Sequence, residues 1–455
     1  MTSIVPIISD RRVALAAIVL LGVVIRAVGA GVNLSGDEAY SWLVGSAGSP
    51  GQFLDRLARF ENTPPLFYLL LTPVPLDDEA WVRWPSLLAG VAAVPVLYAA
   101  VGVLFNGRTA LLAALGMAVA PLAVGYSTYS RGFSMATLGV VVAVWACAHL
   151  ATDGRRRWWW VYVVGALLAL WSEYYALLYL APLLGALIVL RARPWLETVS
   201  FGAAPLLTFL PWLGQLSRSL DLAGKTKQAP SFPGPSFDTA RDAVVPLFFG
   251  SSTTAHSATL RSAQFLLVLT LIAAAALLVR RRPDGRRPAW LFGGTLFGAF
   301  VLLGVAALVA PSRTGIFDVR YMNGLIPLYV ALLAGAVDAL PWRVALPAAG
   351  AVLLATGAAL LVHRYGAEER TNYRGVEHAT RGARTVLTNA ATVAYYLQDH
   401  DARLDRPFGS GPGIESATRP PYAVADTREG QGVRRGPGRI VAQVDGVVVR
   451  FVARR

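Results

Sequence analysis

The sequence predicts an all-α polytopic membrane protein of about eleven transmembrane helices, followed by a small α/β domain outside the membrane. Three observations carry that expectation. Of 455 residues, 55% are hydrophobic and only 15% charged, where an average soluble domain is about a quarter charged, and the mean hydropathy is +0.51. Apolar residues come in blocks of about 17 to 25, the length that crosses a hydrocarbon core of about 30 Å as a helix. Arginines gather in alternate connections between those blocks, which fixes an orientation. A soluble fold is excluded, and with it the nucleic-acid partner that a net charge of +14 would otherwise suggest.

The first apolar run, Val13 to Val32, follows Asp10-Arg11-Arg12. No small-residue cleavage site precedes a soluble domain, so it reads as a retained helix and not a signal peptide. Further spans are expected near 80–104, 109–127, 133–151, 158–173, 174–190, 197–213, 262–279, 289–310, 319–339 and 343–362. With a cytoplasmic N-terminus, the inner connections are Asn106-Gly107-Arg108, Arg155-Arg156-Arg157, Arg191 to Arg193, Arg280 to Arg287 and Trp342-Arg343, as the positive-inside rule demands. The outer connections are then 33–79, 126–133, 172–175, 215–261 and 311–320. The apolar stretch near 64–75 in the first of them is short and contains Pro73 and Pro75, leaving helix, partial insertion and surface element all open.

Beyond residue 362 the composition turns polar, so residues 1–362 form the membrane module and 363–455 a soluble extracytoplasmic domain. Ile440 to Val444, Asp445-Gly446 and Val447 to Val452 read as a strand, a two-residue turn and a strand. Thr385 to Tyr396 is compatible with a helix. No internal repeat is visible. Cys147, the one cysteine, lies inside an apolar run and is expected to pack as a small hydrophobe.

Chemistry-bearing residues concentrate in the outer connections. Asp37 and Glu38, just after the first span, can deprotonate a hydroxyl or hold a divalent cation; they can equally cap a helix start. Glu61 precedes Pro64-Pro65, a rigid turn that would hold a carboxylate in place, although prolines there also suit a helix entry. Tyr126 to Phe133 contains Tyr129 and Arg131. Arg131 stands on the outer side against the charge trend, where its fork can grip a lipid phosphate or snorkel to a headgroup. Glu173, followed by Tyr174-Tyr175, sits where ionisable groups are costly and mark function, while the tyrosines also suit an interfacial belt. Arg320-Tyr321 opens a late helix, and Asp318 offers Arg320 an ion pair. Arg26 reads as a snorkelling or helix-pairing arginine. No Gly-rich loop with Lys-Ser/Thr supports ATP use, and His149, His256, His363, His378 and His400 show no zinc spacing.

The order of these motifs resembles the GT-C membrane glycosyltransferases, specifically the protein O-mannosyltransferase group with its aminoarabinose-transferase and Rgt-like members. The matching stretches are Gly36-Asp37-Glu38-Ala39-Tyr40, Thr63-Pro64-Pro65-Leu66-Phe67-Tyr68, Arg83-Trp84-Pro85-Ser86, Tyr126 to Arg131 and Arg320-Tyr321, over roughly residues 1 to 340. The resemblance implies transfer of a sugar from a polyprenyl-phosphate donor to an acceptor hydroxyl on the outer face, with inversion. It makes Asp37 the base with Glu38 assisting, and Arg131 and Arg320 the donor-phosphate ligands. Glu61, Tyr129, Glu173, Tyr174 and Tyr321 are the expected positioning residues. Many members have histidine before Pro-Pro, where this chain has Thr63. No metal ligand is assigned, and the cofactor requirement is left unassigned. The expected partners are the lipid-linked donor, membrane lipid, and a glycan, lipid or protein acceptor of the cell envelope; the expected location is the plasma membrane. A carrier or flippase for a lipid-linked sugar is the alternative, against which stand the clustering of ionisable groups at one face and the lack of a repeat.

Overall fold

In this computed structural model the described residues are 11–61, 63–215, most of 236–245, 258–309, 319–341, most of 347–358 and five strands between Thr385 and Val452. They divide into two compact units. One comprises Met1–Ala30, Asn62–Phe67 and Arg83–Ala367, the other Gly31–Glu61, Tyr68–Val82 and Glu368–Arg455.

The first unit is a helical bundle. Its elements are α1 (Arg11–Val28), α5 (Glu79–Leu104), α6 (Gly107–Val119), α7 (Pro121–Ser127), α8 (Phe133–Thr152), α9 (Trp158–Ser172), α10 (Leu177–Val189) and α11 (Trp195–Leu207), then helices Ala258–Arg281, Thr295–Val309 and Ile326–Asp338. Each predicted span through 319–339 contains helix. Among the described residues, four helices are long and apolar enough to cross a membrane, and α6 with α7 would make a fifth despite a 56° bend between them. The sequence explains that bend. Pro121 has no N–H to return to the α6 backbone, so the helix breaks at Ala120 and restarts with proline in its first turn.

Breaking a helix in an apolar bundle strands carbonyls, and α1 supplies the remedy. Arg26, 1% exposed, donates from Nη1 to the Ala118 carbonyl at 3.0 Å and from Nη2 to the Met117 carbonyl at 3.4 Å. Its Nε donates to Ser127 Oγ in α7 at 3.1 Å. Of the two roles open to Arg26, helix pairing is the one observed. Gly90 of α5 lies so close to Ser127 that a Cβ there would collide with it, which closes the α1, α5, α7 junction. Next to it α8 and α9 run as a hairpin, in contact at Gly139 and Gly165, where neither position has room for a Cβ; small residues let apolar helices approach at backbone distance. Cys147 is fully buried in this core, as expected.

At the arginine-rich end, polar side chains tie helix ends together. Asp338 accepts from Asn106 Nδ2 at 2.7 Å and pairs with Arg282 at 2.5 Å. Glu197 accepts from the Trp159 indole and from Arg193, both at 2.6 Å.

The second unit takes in α2 (Gly36–Gly45), α3 (Pro50–Phe60), α4 (Leu66–Leu71) from Tyr68 onward, and strands β1 (Thr385–Thr388), β2 (Asp401–Leu404), β3 (Tyr422–Asp426), β4 (Arg439–Val444) and β5 (Val447–Val452). Gly45 of α2 packs against Leu71 and Leu76, and the rings of Tyr40 and Phe60 stack at 5.9 Å. The sheet order is β2-β1-β3-β5-β4, with β1 parallel to both neighbours and β5 antiparallel to β3 and β4. The two strands of the expected hairpin, β4 and β5, pair antiparallel with Val444 opposite Val447; Asp445-Gly446 lie outside the described residues. One expectation fails in its described part: of Thr385 to Tyr396, read as compatible with a helix, 389–396 lie outside the described residues and Thr385 to Thr388 is the parallel strand β1. Its Thr-Val-Leu-Thr run has the β-branched composition of strands, and pairing on both edges overrides local helix propensity. The apolar stretch near 64–75 resolves as α4, whose six residues span only about 9 Å, followed by turns through Thr72 and Val74.

Candidate functional site

In the helical unit, three connections meet at one end of the bundle. The first is the turn from α7 to α8. Arg131 is half-buried, and its backbone is held from both sides: its N–H donates to the Tyr129 carbonyl at 2.8 Å, while its own carbonyl accepts from Ser86 Oγ at 2.9 Å. Ser86 lies one turn along α5 from Arg83, whose Nη1 donates to the Ala30 carbonyl at 2.7 Å. The Arg83-Trp84-Pro85-Ser86 stretch therefore anchors the chain leaving α1 with one residue and the Arg131 turn with another. Tyr129 stacks on Phe133 at 6.3 Å and Tyr126 meets the same ring edge-on at 5.2 Å.

The second connection is the corner between α9 and α10. Glu173, 4% exposed, ends α9 in an extended conformation, its N–H bonded to the Ala169 carbonyl at 2.9 Å. Tyr174 begins the 3-10 turn Tyr174–Ala176, and its hydroxyl accepts from the Trp212 indole at 2.8 Å. Gly132, in the Arg131 turn, lies flush on the Ser172 carbonyl with no space for a Cβ. The Arg131 turn and the Glu173 corner are thus one packed unit.

The third is the 3-10 segment Val319–Leu325, which contains Arg320 and Tyr321. Asn323 clamps it to the start of α8, donating to the Phe133 carbonyl at 3.1 Å and to Thr137 Oγ1 at 2.8 Å, and Gly324 sits against the Tyr179 ring. Asp318, expected to pair with Arg320, lies outside the described residues.

In the other unit, Asp37 and Glu38 occupy the first turn of α2. Glu38 is fully buried and accepts from the Ser35 N–H at 2.9 Å, which is the capping role weighed for it in the sequence. Asp37, the adjacent residue, is half-buried. Glu61, 4% exposed, caps the C-terminus of α3. Among the described residues no three His, Cys, Asp or Glu side chains group as a metal site.

Sequence reading missed parts that hold this end in place, Ser86, Gly132 and Asn323, and left the partners of Arg26 unnamed. Ser86 stood in a quoted motif without a role, and Pro121, in the middle of a predicted span, was the visible signal that a break needed a buried donor.

The helical unit is thus a bundle broken between α6 and α7, with the Arg131 turn, the Glu173 corner and the Arg320-Tyr321 segment gathered at one end. Residues 63–214 match the family of dolichyl-phosphate-mannose-protein mannosyltransferases. The fold is shared with ArnT from Cupriavidus metallidurans bound to undecaprenyl phosphate, at a TM-score of 0.67 and 14% identity over 96% of this chain and 97% of that one. The apo form of the same protein gives 0.66 and 16% over the same shares. The Archaeoglobus fulgidus oligosaccharyltransferase in complex with zinc and sulfate gives 0.52 and 13%, over 92% of this chain and 68% of that one. No curated protein matches the sequence.

Proposed function

We propose that this protein is a membrane glycosyltransferase that moves a sugar, mannose-like or pentose, from a polyprenyl-phosphate donor to an acceptor hydroxyl at the outer membrane face, with inversion. The supporting observation is the meeting of the Arg131 turn, the Glu173 corner and the Arg320-Tyr321 segment in a fold shared over 96% of the chain with a protein named as bound to undecaprenyl phosphate. Asp37 takes the acceptor proton as the hydroxyl oxygen bonds to the anomeric carbon, and the carbon–oxygen bond to phosphate breaks, releasing polyprenyl phosphate. Arg131 and Arg320 stabilise the charge that builds on that leaving group. Glu38 holds the α2 start in shape around Asp37; Glu61, Tyr129, Glu173, Tyr174 and Tyr321 position the connections. In this reading residues 1–362 form a plasma-membrane module of about eleven spans with a cytoplasmic N-terminus and an outer loop at 33–79. Residues 363–455 form a small α/β domain outside, and the acceptor is a cell-envelope glycan, lipid or protein.

The test is transfer of radiolabel from a panel of polyprenyl-phosphate sugars by the purified chain to a cell-envelope extract. Arg131→Gln and Arg320→Gln are expected to weaken donor use by about tenfold or more, as loss of a charge-assisted contact does. Full activity in both variants would remove the phosphate assignments.

A further inference from the structure

The arginine-rich end of the helical unit contains a cavity that the proposed chemistry does not use. It measures about 670 Å³ and lies between the ends of α8 and α10 and the connection through Asp284 and Arg287. The twenty residues of α8 separate it from the Arg131 turn by about 30 Å. Arg191, Arg286 and Arg287 line it, all three exposed. Among the described residues none of the three pairs with a carboxylate, whereas Arg193 and Arg156 are committed to Glu197 and Arg282 to Asp338. The two carboxylates of the cavity are themselves engaged. Asp153 takes His149, the Arg155 N–H and the Trp158 indole, and Asp284 faces Arg282.

Backbone conformation gives a second, independent sign. Both helices that border the cavity end in a left-handed residue. At the end of α8 that residue is Gly154, φ 63°, the usual choice where a Cβ is unwelcome. At the end of α10 it is Arg191, φ 50°. The turn around it closes with the Arg191 N–H on the Ile188 carbonyl at 2.9 Å and the Ala192 N–H on the Leu187 carbonyl at 3.1 Å, a helix stop for which glycine is the natural residue. A side chain retained in a conformation that disfavours it points to use of that side chain, and this one belongs to the cavity's uncompensated cluster.

We infer that this cavity binds the phosphate of an anionic group, with the headgroup of a lipid in the adjacent leaflet as its source. Guanidinium forks match phosphate oxygens, basic pockets between membrane helices recognise such headgroups, and the apolar last turns of α8 and α10 border the place where acyl chains would continue.

The test uses the full chain in detergent, titrated with phosphatidylglycerol or phosphatidylcholine and read by native mass spectrometry, with inorganic phosphate in a parallel thermal-shift arm. Arg191→Gly relaxes the backbone, so its melting temperature should match or exceed wild type while retention of phosphatidylglycerol falls about tenfold. Arg286→Gln with Arg287→Gln should reduce retention likewise. A phosphate-induced shift that Arg191→Gly loses, without preference between the lipids, keeps the site and assigns it to soluble phosphates. Equal retention of both lipids by all three proteins, with no phosphate effect, overturns the inference.

Discussion

At the scale of single residues, the site end depends on a few side chains that act through backbone. Ser86 makes one hydrogen bond to the Arg131 carbonyl. Ser86→Ala removes about 1 kcal/mol of net interaction, and because that bond sets the Arg131 turn, the expected result is a several-fold rise in donor KM with little change in melting temperature. Unchanged donor KM would mean that the turn is held well enough without it. Arg26 is a different case. Replacing it with methionine keeps the volume but leaves the Met117 and Ala118 carbonyls without its donors, at about 1–3 kcal/mol for each buried unsatisfied group. The variant should melt several degrees lower in detergent; an unchanged melting curve would show that the α6–α7 break is satisfied some other way. In α2, Glu38 caps the helix start, and the proposed base, Asp37, is its neighbour in the same first turn.

At the scale of elements, close backbone approach does the positioning. Gly132 meets the Ser172 carbonyl directly, so Gly132→Ala must separate the Arg131 turn from the α9 corner. A shift of that kind costs about 1–3 kcal/mol, and transfer activity should fall more than stability, measured as turnover beside melting temperature on the same preparation. Activity equal to wild type would show that the two connections need not be in register. Helix positions were legible in the sequence because a run of about twenty apolar residues admits little else in a bilayer. The pairing of β4 with β5 was legible because turn chemistry is local. What escaped was non-local. Strand β1 owes its conformation to partners at 401–404 and 422–425, and the short helices α2 to α4 lie in a connection whose pattern is too brief to carry a period. Asp37 was readable as one of an acidic pair, Arg131 as an arginine against the charge trend and Glu173 as a costly carboxylate, while Ser86 and Asn323 were not, since a lone polar residue in an apolar run says nothing of the carbonyl it will meet.

At the scale of the whole molecule, the account assigns the arginine-rich connections to the cytoplasm and the first connection to the outside. Cysteine labelling checks that orientation in intact cells, because Cys147 is fully buried and should stay silent. Gln52→Cys should react with an impermeant maleimide at once, and Arg155→Cys only after permeabilisation; the reverse pattern would invert the topology and remove the outer-face chemistry with it.

The most direct test of the central claim compares wild type with Asp37→Asn, measuring radiolabelled sugar transfer from polyprenyl phosphate alongside donor binding. The account predicts transfer by wild type that the variant loses while donor still binds. Donor binding without transfer by either protein, the two behaving alike, would contradict it and point to a carrier of lipid-linked sugar.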